Sequence, residues 1–512
     1  MGGGKMPEPM DGKSFIAPNR WALAFVLALL FGLGLGIRLT DLTDLPLDFH
    51  PTRQLFSAIK ARGIYYQTAP GIPEWQREVA LRAYDAEAVI EPPVIDGLVA
   101  ASYRVFGEYM WIARIYSSLF WIVGGIFLFL LARELLTLDE ALLSLTFYLL
   151  LPYGVFASRS FQPDPLMVTL ILIGCWAALR WSRQPAWTWA LLAGIAGGLA
   201  IFVKLTAAFF IAGGFIGAVL SRHSFREALR QSQVWVMAAL TVLPGAAYVV
   251  YGVYVAGYLG SQFNGRFFPE LWSNPFFYLR WEGKVALILG HLGLALALLG
   301  LFFLRTRQGR IFATALWVGY AFFGMFFGYH ISSHDYYSLP LVPIAALSLG
   351  ALGGVTVRAL AEQASGSGWT RAFIRMMLLF VAAMTFWQTR VELLSVDYRP
   401  QAAFWASVGE ALDHQPSVIA VTQDYGYPLV YWGWQRVTVW PEARGEFFGA
   451  QSNEDTASRF DRLTSNKAYF LVTDSDELDR QPGLEEILRG NYPIHAEGEG
   501  FVIFDLTRRL GE

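Results

Sequence analysis

A single cysteine, Cys175, stands in a chain of 512 residues, so neither a disulfide framework nor a cysteine-based metal site can form within it. Charge is scarce as well. Asp, Glu, Lys and Arg make up 16% of the residues, and their sum of -2 lacks the basic excess that a nucleic acid demands of a partner. What remains is apolar: 55% hydrophobic and 16% aromatic residues, with a mean hydropathy of +0.40. That is more apolar surface than a soluble fold could hide, and it defines an integral membrane protein with the bilayer as its first partner.

Apolar runs long enough to cross a bilayer, roughly 17–25 residues each, lie near 21–37, 111–132, 139–158, 164–182, 187–203, 205–221, 233–257, 285–304, 311–329, 339–358 and 371–389. The expectation is a polytopic α-helical membrane protein of about eleven spans. Residues 1–20 are Gly/Pro-rich and polar and read as a cytoplasmic tail. The first run has Lys13 and Arg20 before it, Arg38 after it and no small-residue cleavage site, which marks a retained helix rather than a signal peptide.

Cytoplasmic connections retain Lys and Arg. Alternate short connections carry Arg133; Arg180 and Arg183; Arg222, Arg226 and Arg230; Arg305, Arg307 and Arg310; and Arg358 with Arg371. With these inside, the outer connections are 38–108, 159–163, the Lys204 turn, 258–284 and 330–338. The transmembrane part is therefore taken as 21–392, with a large first external loop at 38–108. From 393 to 512 the sequence has the character of a small external soluble α/β domain. Its expected strands are Val418–Val421 and Tyr469–Thr473, its helix Asp476–Arg489, and Ile494–Asp505 a terminal hairpin or strand pair.

The loop of about 70 residues is long for a connection beside membrane helices, and loops of that length usually carry function. It holds Asp48, His50 and Arg53, then Glu91. Leu55–Tyr66 fits a short amphipathic helix in the headgroup region, with Lys60 and Arg62 on its polar face. A second helix is expected after Glu91-Pro92-Pro93, since proline suits a first turn.

The outward-facing motifs resemble one family. Pro46-Leu47-Asp48-Phe49-His50-Pro51-Thr52-Arg53-Gln54, Glu91-Pro92-Pro93 with Phe106-Gly107-Glu108, Gln162-Pro163-Asp164-Pro165 and His334-Asp335-Tyr336-Tyr337-Ser338-Leu339-Pro340 occur in the order and on the side seen in GT-C type membrane glycosyltransferases. Within that family the chain is most similar to relatives of protein O-mannosyltransferases and of the lipid A aminoarabinose transferase. The resemblance covers most of residues 20–390. It implies transfer of a sugar, with inversion, from a polyprenyl-phosphate-linked donor to a glycan, lipid or protein acceptor on the non-cytoplasmic face of the cell membrane. A lipid phosphate leaves without a strong general acid, but the acceptor needs a base, which a carboxylate can supply. Cations must then meet the departing phosphate.

On this reading Asp48, Glu91 and Asp164 are the catalytic candidates, with Asp48 as base. His50, Arg53, Lys204, Arg266, Arg280, His334, Tyr336 and Tyr337 are the substrate-binding candidates. Each also has a simpler role open to it. The three acids can cap helices, Lys204 can snorkel, and His334 and Tyr336 can belong to an interfacial aromatic belt. Asp48, His50 and His334 could together ligate a divalent ion in principle. No ligand spacing within one element supports it, so no metal or other cofactor is expected. A transporter or flippase of lipid-linked sugars is the alternative, but its polar groups would gather near the bilayer midplane on broken helices rather than at one face.

Overall fold

The computed structural model describes residues 14–260, 266–414, 417–443 and 455–511. Most of the expected N-terminal tail (1–13) and the part of the 258–284 segment at 261–265 lie outside the described residues. The chain divides into two units, Met1–Leu42 with Ala88–Val94 and Trp111–Ser395, and Thr43–Glu87 with Ile95–Met110 and Val396–Glu512.

The first unit is helical. Seven described helices are long and apolar enough to cross a bilayer: Arg20–Arg38, Trp111–Leu135, Asp164–Arg183, Ser232–Val255, Arg307–Phe326, Leu341–Gln363 and Gly368–Leu393. Two bent pairs raise the count to as many as nine: Leu138–Leu150 with Pro152–Arg159, bent by 57°, and Pro275–Leu289 with His291–Phe303, bent by 88°. Trp187–Val203 and Ala207–Leu220 are shorter apolar helices. Each of the eleven expected runs thus meets a helix or a bent pair, but the two flanking Lys204 fall short of a full span.

Sequence chemistry explains where the helices stop. Thr137 and Glu140 form a capping box that starts Leu138–Leu150. Pro152 then interrupts it, because a proline has no N–H to offer the carbonyl four residues back. That carbonyl, on Tyr148, accepts from Trp121 Nε1 at 3.2 Å instead, and its neighbour on Leu149 accepts from Arg38 Nη1 at 2.8 Å. Arg38, expected as a flanking charge, is in fact fully buried, and its Nε donates to Ser158 Oγ at 2.7 Å.

Glycines allow helices to approach closely. A Cβ added to Gly319 would lie 2.6 Å from the Phe209 carbonyl oxygen, and one added to Gly213 would lie 2.6 Å from that of Ala315. Backbones this close pack only through glycine, as membrane helices commonly do. Four of the connection arginines meet two acids. Glu134 accepts from Arg180 at 3.0 Å and pairs with Arg183, while Glu140 pairs with Arg358 and, at 3.6 Å, with Arg305.

The second unit is built on a five-stranded sheet of order β2-β1-β3-β5-β4, with β1 at Val418–Val421, β2 at Thr438–Val439, β3 at Tyr469–Val472, β4 at Ile494–Gly498 and β5 at Phe501–Asp505. β1 runs parallel to β2 and β3, whereas β5 is antiparallel to β3 and β4. Successive strand residues face opposite sides. Val418 and Ala420 pack with Trp405, Val408 and Leu429 on one face, and Ile419 and Val421 with Phe460, Leu484 and Leu488 on the other. The single expected helix at 476–489 is two, Ser475–Asp479 and Pro482–Asn491, because Pro482 opens a new first turn.

Helix Pro51–Tyr66 belongs to this unit, and its Lys60 and Arg62 are buried rather than solvated, so the expected headgroup-facing polar side is absent. The Arg62 guanidinium lies 3.6 Å from the Tyr431 ring centroid and 4.3 Å from that of Trp434, with its Nε 2.7 Å from Glu108 Oε1. Tyr431 Oη donates to the same carboxylate at 2.6 Å. Burial alone would raise the Glu108 carboxyl, but the Arg62 charge and hydrogen bonds from Tyr431, Arg62 and Tyr66 outweigh it and hold it below the ordinary glutamate range. A depressed carboxyl stabilises above the unfolded-state pKa and loses that contribution as pH falls through its folded value. Glu108→Gln should therefore destabilise the protein at neutral pH by about 3 kcal/mol, the scale for stranding a buried partner. Thermal unfolding of wild type and variant should show a gap at pH 7 that closes in acid; a gap independent of pH would contradict the assignment.

Candidate active site

In the first unit, Pro163-Asp164-Pro165 opens helix Asp164–Arg183, which fixes the Asp164 carboxylate at that helix end. Lys204 closes helix Trp187–Val203 in an extended conformation, its N–H bonded to the Ala200 carbonyl at 3.0 Å. The two meet in the interior. Lys204 Nζ donates to both Asp164 oxygens at 2.9 Å, with the lysine only 4% and the aspartate 1% exposed. Glu91 Oε1 is 3.7 Å from the same ammonium.

The late motif completes the surroundings. Lys204 Nζ lies 4.9 Å from the Tyr337 ring centroid and 5.4 Å from that of Tyr336, within the range of attraction between a cation and an aromatic face. The His334 ring sits 5.5 Å from Tyr336 and 6.1 Å from Tyr337, with its Nδ1 2.8 Å from Ser333 Oγ. A cavity of about 260 Å³ opens here. Glu91, Lys204, Arg266 and Tyr337 supply its polar wall, while Leu205, Phe209, Leu259, Phe326 and Phe327 supply an apolar one. Such a surface suits a ligand that is charged at one end and greasy at the other.

Of the expected site residues, Glu91, Asp164, Lys204, Arg266, His334, Tyr336 and Tyr337 belong to the first unit and are gathered as described. Arg280 lies exposed on helix Pro275–Leu289 and is not among the residues that line the cavity. Asp48, His50 and Arg53 belong to the second unit. There His50 is the N-cap of Pro51–Tyr66, in a left-handed conformation with φ 44° and no side-chain cap bond, so Asp48 does not hold the capping position. Burial and the charges of Asp48, Asp44 and Asp424 together raise the Tyr398 hydroxyl. Lys204 does not snorkel, and Asp164 meets an ammonium rather than the N–H groups of its own helix.

Sequence reading missed His330 and Tyr153. His330 packs on Tyr337 with ring centroids 5.2 Å apart. Burial, then the charges of Arg266, His334 and Lys204, push its pKa down to about 4, which keeps it neutral at pH 7. Its place beside the late motif was the available signal. Tyr153 is buried within the electrostatic reach of Asp335 and Asp164; the helix break at Pro152 pointed to it. Among the described residues no group of three or more His, Cys, Asp or Glu side chains could hold a metal ion.

Residues 90–251 match the family model described as dolichyl-phosphate-mannose-protein mannosyltransferase. ArnT from Cupriavidus metallidurans in the apo state is similar in structure, with a TM-score of 0.58 and 17% identity over 94% of this chain and 98% of that one. The same enzyme bound to undecaprenyl phosphate matches at a TM-score of 0.58, 16% identity and 94% and 97% coverage. The archaeal oligosaccharyltransferase AglB from Archaeoglobus fulgidus, in complex with an inhibitory peptide and a dolichol-phosphate, matches at a TM-score of 0.52 and 11% identity over 94% of this chain and 74% of that one. No curated protein sequence matches the chain significantly. The fold is that of the GT-C type membrane glycosyltransferases. Residues 90–251 are similar to that protein mannosyltransferase model, and the resemblance expected from the motifs is borne out.

Proposed function

We infer that this protein transfers a sugar from a polyprenyl-phosphate-linked donor to an acceptor on the non-cytoplasmic face of the cell membrane, with inversion at the sugar carbon. The observation that carries the reading is the cavity in which Lys204 and Arg266 face an apolar aromatic wall, a match to a phosphate joined to a polyprenyl chain. Undecaprenyl phosphate bound to ArnT and dolichol-phosphate bound to AglB support the same ligand class here.

Asp164 and Glu91 are both engaged by Lys204 and act in positioning that ammonium, which favours Asp48 as the base. Lys204 and Arg266 serve as the phosphate ligands, and Tyr337, with Tyr336 and His334 beside it, contacts the donor head. The chain crosses the membrane eleven times, with the short helices around Lys204 counted as two crossings, and residues 393–512 form an external domain. Purified protein should bind radiolabelled polyprenyl phosphate saturably, with inorganic phosphate a poor competitor; equal competition by inorganic phosphate would remove the lipid from the reading.

Sidedness has its own test. Cysteines placed beside Asp48, Asp164, Lys204 and His334, and one after Leu393, should react with an impermeant thiol reagent from outside the cell, while one beside Arg307 should not. The native Cys175 is buried and adds little background. Labelling of the C-terminal cysteine only after permeabilisation would refute both the odd number of crossings and the orientation.

A further inference from the structure

The connections of the second unit's sheet change direction between β1 and β3. The chain leaves β1 through helix Tyr427–Trp432 to β2 on one side, whereas it leaves β3 through helices Ser475–Asp479 and Pro482–Asn491 to the β4–β5 pair on the other side. Leu429 of the first connection packs on one sheet face, and Leu484 and Leu488 of the second on the opposite face. The connections therefore leave β1 and β3 in opposite directions. In α/β sheets the crevice outside the carboxyl ends of two such strands is where ligands bind.

Thr422, Gln423, Asp424 and Tyr425 follow β1 there, and Thr473 follows β3. Thr473 Oγ1 donates to Thr422 Oγ1 at 2.8 Å, and Gln423 Nε2 donates to the Thr473 carbonyl at 2.8 Å, which ties the two strand ends together. Asp424 and Tyr425 are both left-handed, with φ 49° and 54°, and Gly426 follows at φ 76°. Two successive non-glycine residues in that region are costly, and strain of this kind gathers at ligand sites. It also presents Tyr425 outward, 66% exposed. Asp424 accepts from Thr52 Oγ1 at 3.3 Å. Burial raises the Asp424 carboxyl, and the Thr52 hydrogen bond and His50 charge offset only part of that effect.

The chemistry selects among ligands. A phosphate or nucleotide at such a crevice normally rests on a helix N-terminus. Here that helix has only six residues with Pro428 in its first turn, and a carboxylate stands before it. A carboxylate that takes vicinal hydroxyls beside an exposed tyrosine ring that stacks on a pyranose face fits a neutral carbohydrate instead. We propose that Asp424 and Tyr425, at the carboxyl ends of β1 and β3, form a binding site for the hydroxyl-rich glycan portion of an acceptor. Its role in catalysis rests on the transfer reading above, but carbohydrate binding is measured without transfer and stands or falls separately.

The test titrates full-length protein, held in a detergent without a sugar head group, with neutral oligosaccharides of mannose and of glucose, with an acidic oligosaccharide, and with inorganic phosphate. Neutral oligosaccharides should bind in the millimolar range or tighter, and phosphate should not. Asp424→Asn and Tyr425→Asn should each weaken that binding about tenfold or more, the scale of one lost charge-assisted contact. Asparagine tolerates the left-handed conformation, so the Tyr425 variant should unfold at the same temperature as wild type or higher. Absence of neutral-glycan binding by wild type, preferential binding of phosphate, or undiminished binding by both variants would overturn the proposal. Weakened binding together with a lower unfolding temperature in both variants would assign these residues to structure and overturn it as well.

Discussion

Asp48→Asn should lower the transfer rate on the order of 100-fold or more, the usual scale for losing a general base. Asparagine keeps the size and hydrogen-bonding capacity of the side chain but cannot take the acceptor's proton. The helix that follows does not depend on Asp48 for a cap, since His50 occupies that position, so folding should be spared. Donor binding should also be close to that of wild type, because the charges assigned to the phosphate are elsewhere. Glu91→Gln is the matched control. Its carboxylate stands 3.7 Å from Lys204, and its loss should weaken donor positioning more than the chemical step. Single-turnover rates and donor affinities for both variants separate the two roles. An active Asp48→Asn beside an inactive Glu91→Gln would move the base to Glu91.

Lys204→Met carries the second large effect, and the structure changes what is expected of it. From sequence alone, methionine keeps an apolar stem of similar reach, so only donor affinity should suffer. In the folded protein Lys204 is the partner of a carboxylate that is 1% exposed. Removing the ammonium strands Asp164, which should cost about 3–5 kcal/mol of stability. Donor binding should weaken about tenfold to 100-fold, the scale of a lost charge-assisted hydrogen bond. Lys204→Met combined with Asp164→Asn removes the stranded charge and should recover the thermal stability without recovering donor affinity. A double variant that binds the donor like wild type would reduce Lys204 to a structural counter-ion for Asp164.

How much was legible follows from the distance over which each feature is encoded. The apolar runs and the proline-punctuated motifs are local, so the helices, the strand at Val418–Val421 and the hairpin at Ile494–Asp505 could be read directly. The same holds for the acids beside helix starts, because Pro163-Asp164-Pro165 announces its own turn. What the periodicity of one segment cannot carry is the partner. Arg62 reads as the polar face of an amphipathic helix until Glu108, 46 residues away, and the Tyr431 carbonyl, 369 residues away, take its charge inside. Lys204 reads as an interfacial lysine until Asp164, 40 residues earlier, is found against it. Arg280 shows the converse: it shares a segment with Arg266, but helix Pro275–Leu289 leaves it exposed while Arg266 lines the cavity.

The central claim is that a lipid-linked sugar is transferred, and one measurement addresses it most directly. Purified protein is incubated with a panel of radiolabelled polyprenyl-phosphate sugars and membrane extract, and any labelled product is isolated. The claim requires that one donor yields a product in which the label has moved to a glycan, lipid or protein, with inverted configuration at the sugar carbon, and Asp48→Asn should make it about 100-fold more slowly. If no donor yields product while labelled lipid crosses the bilayer of reconstituted vesicles, the protein moves lipid-linked sugars rather than transferring them.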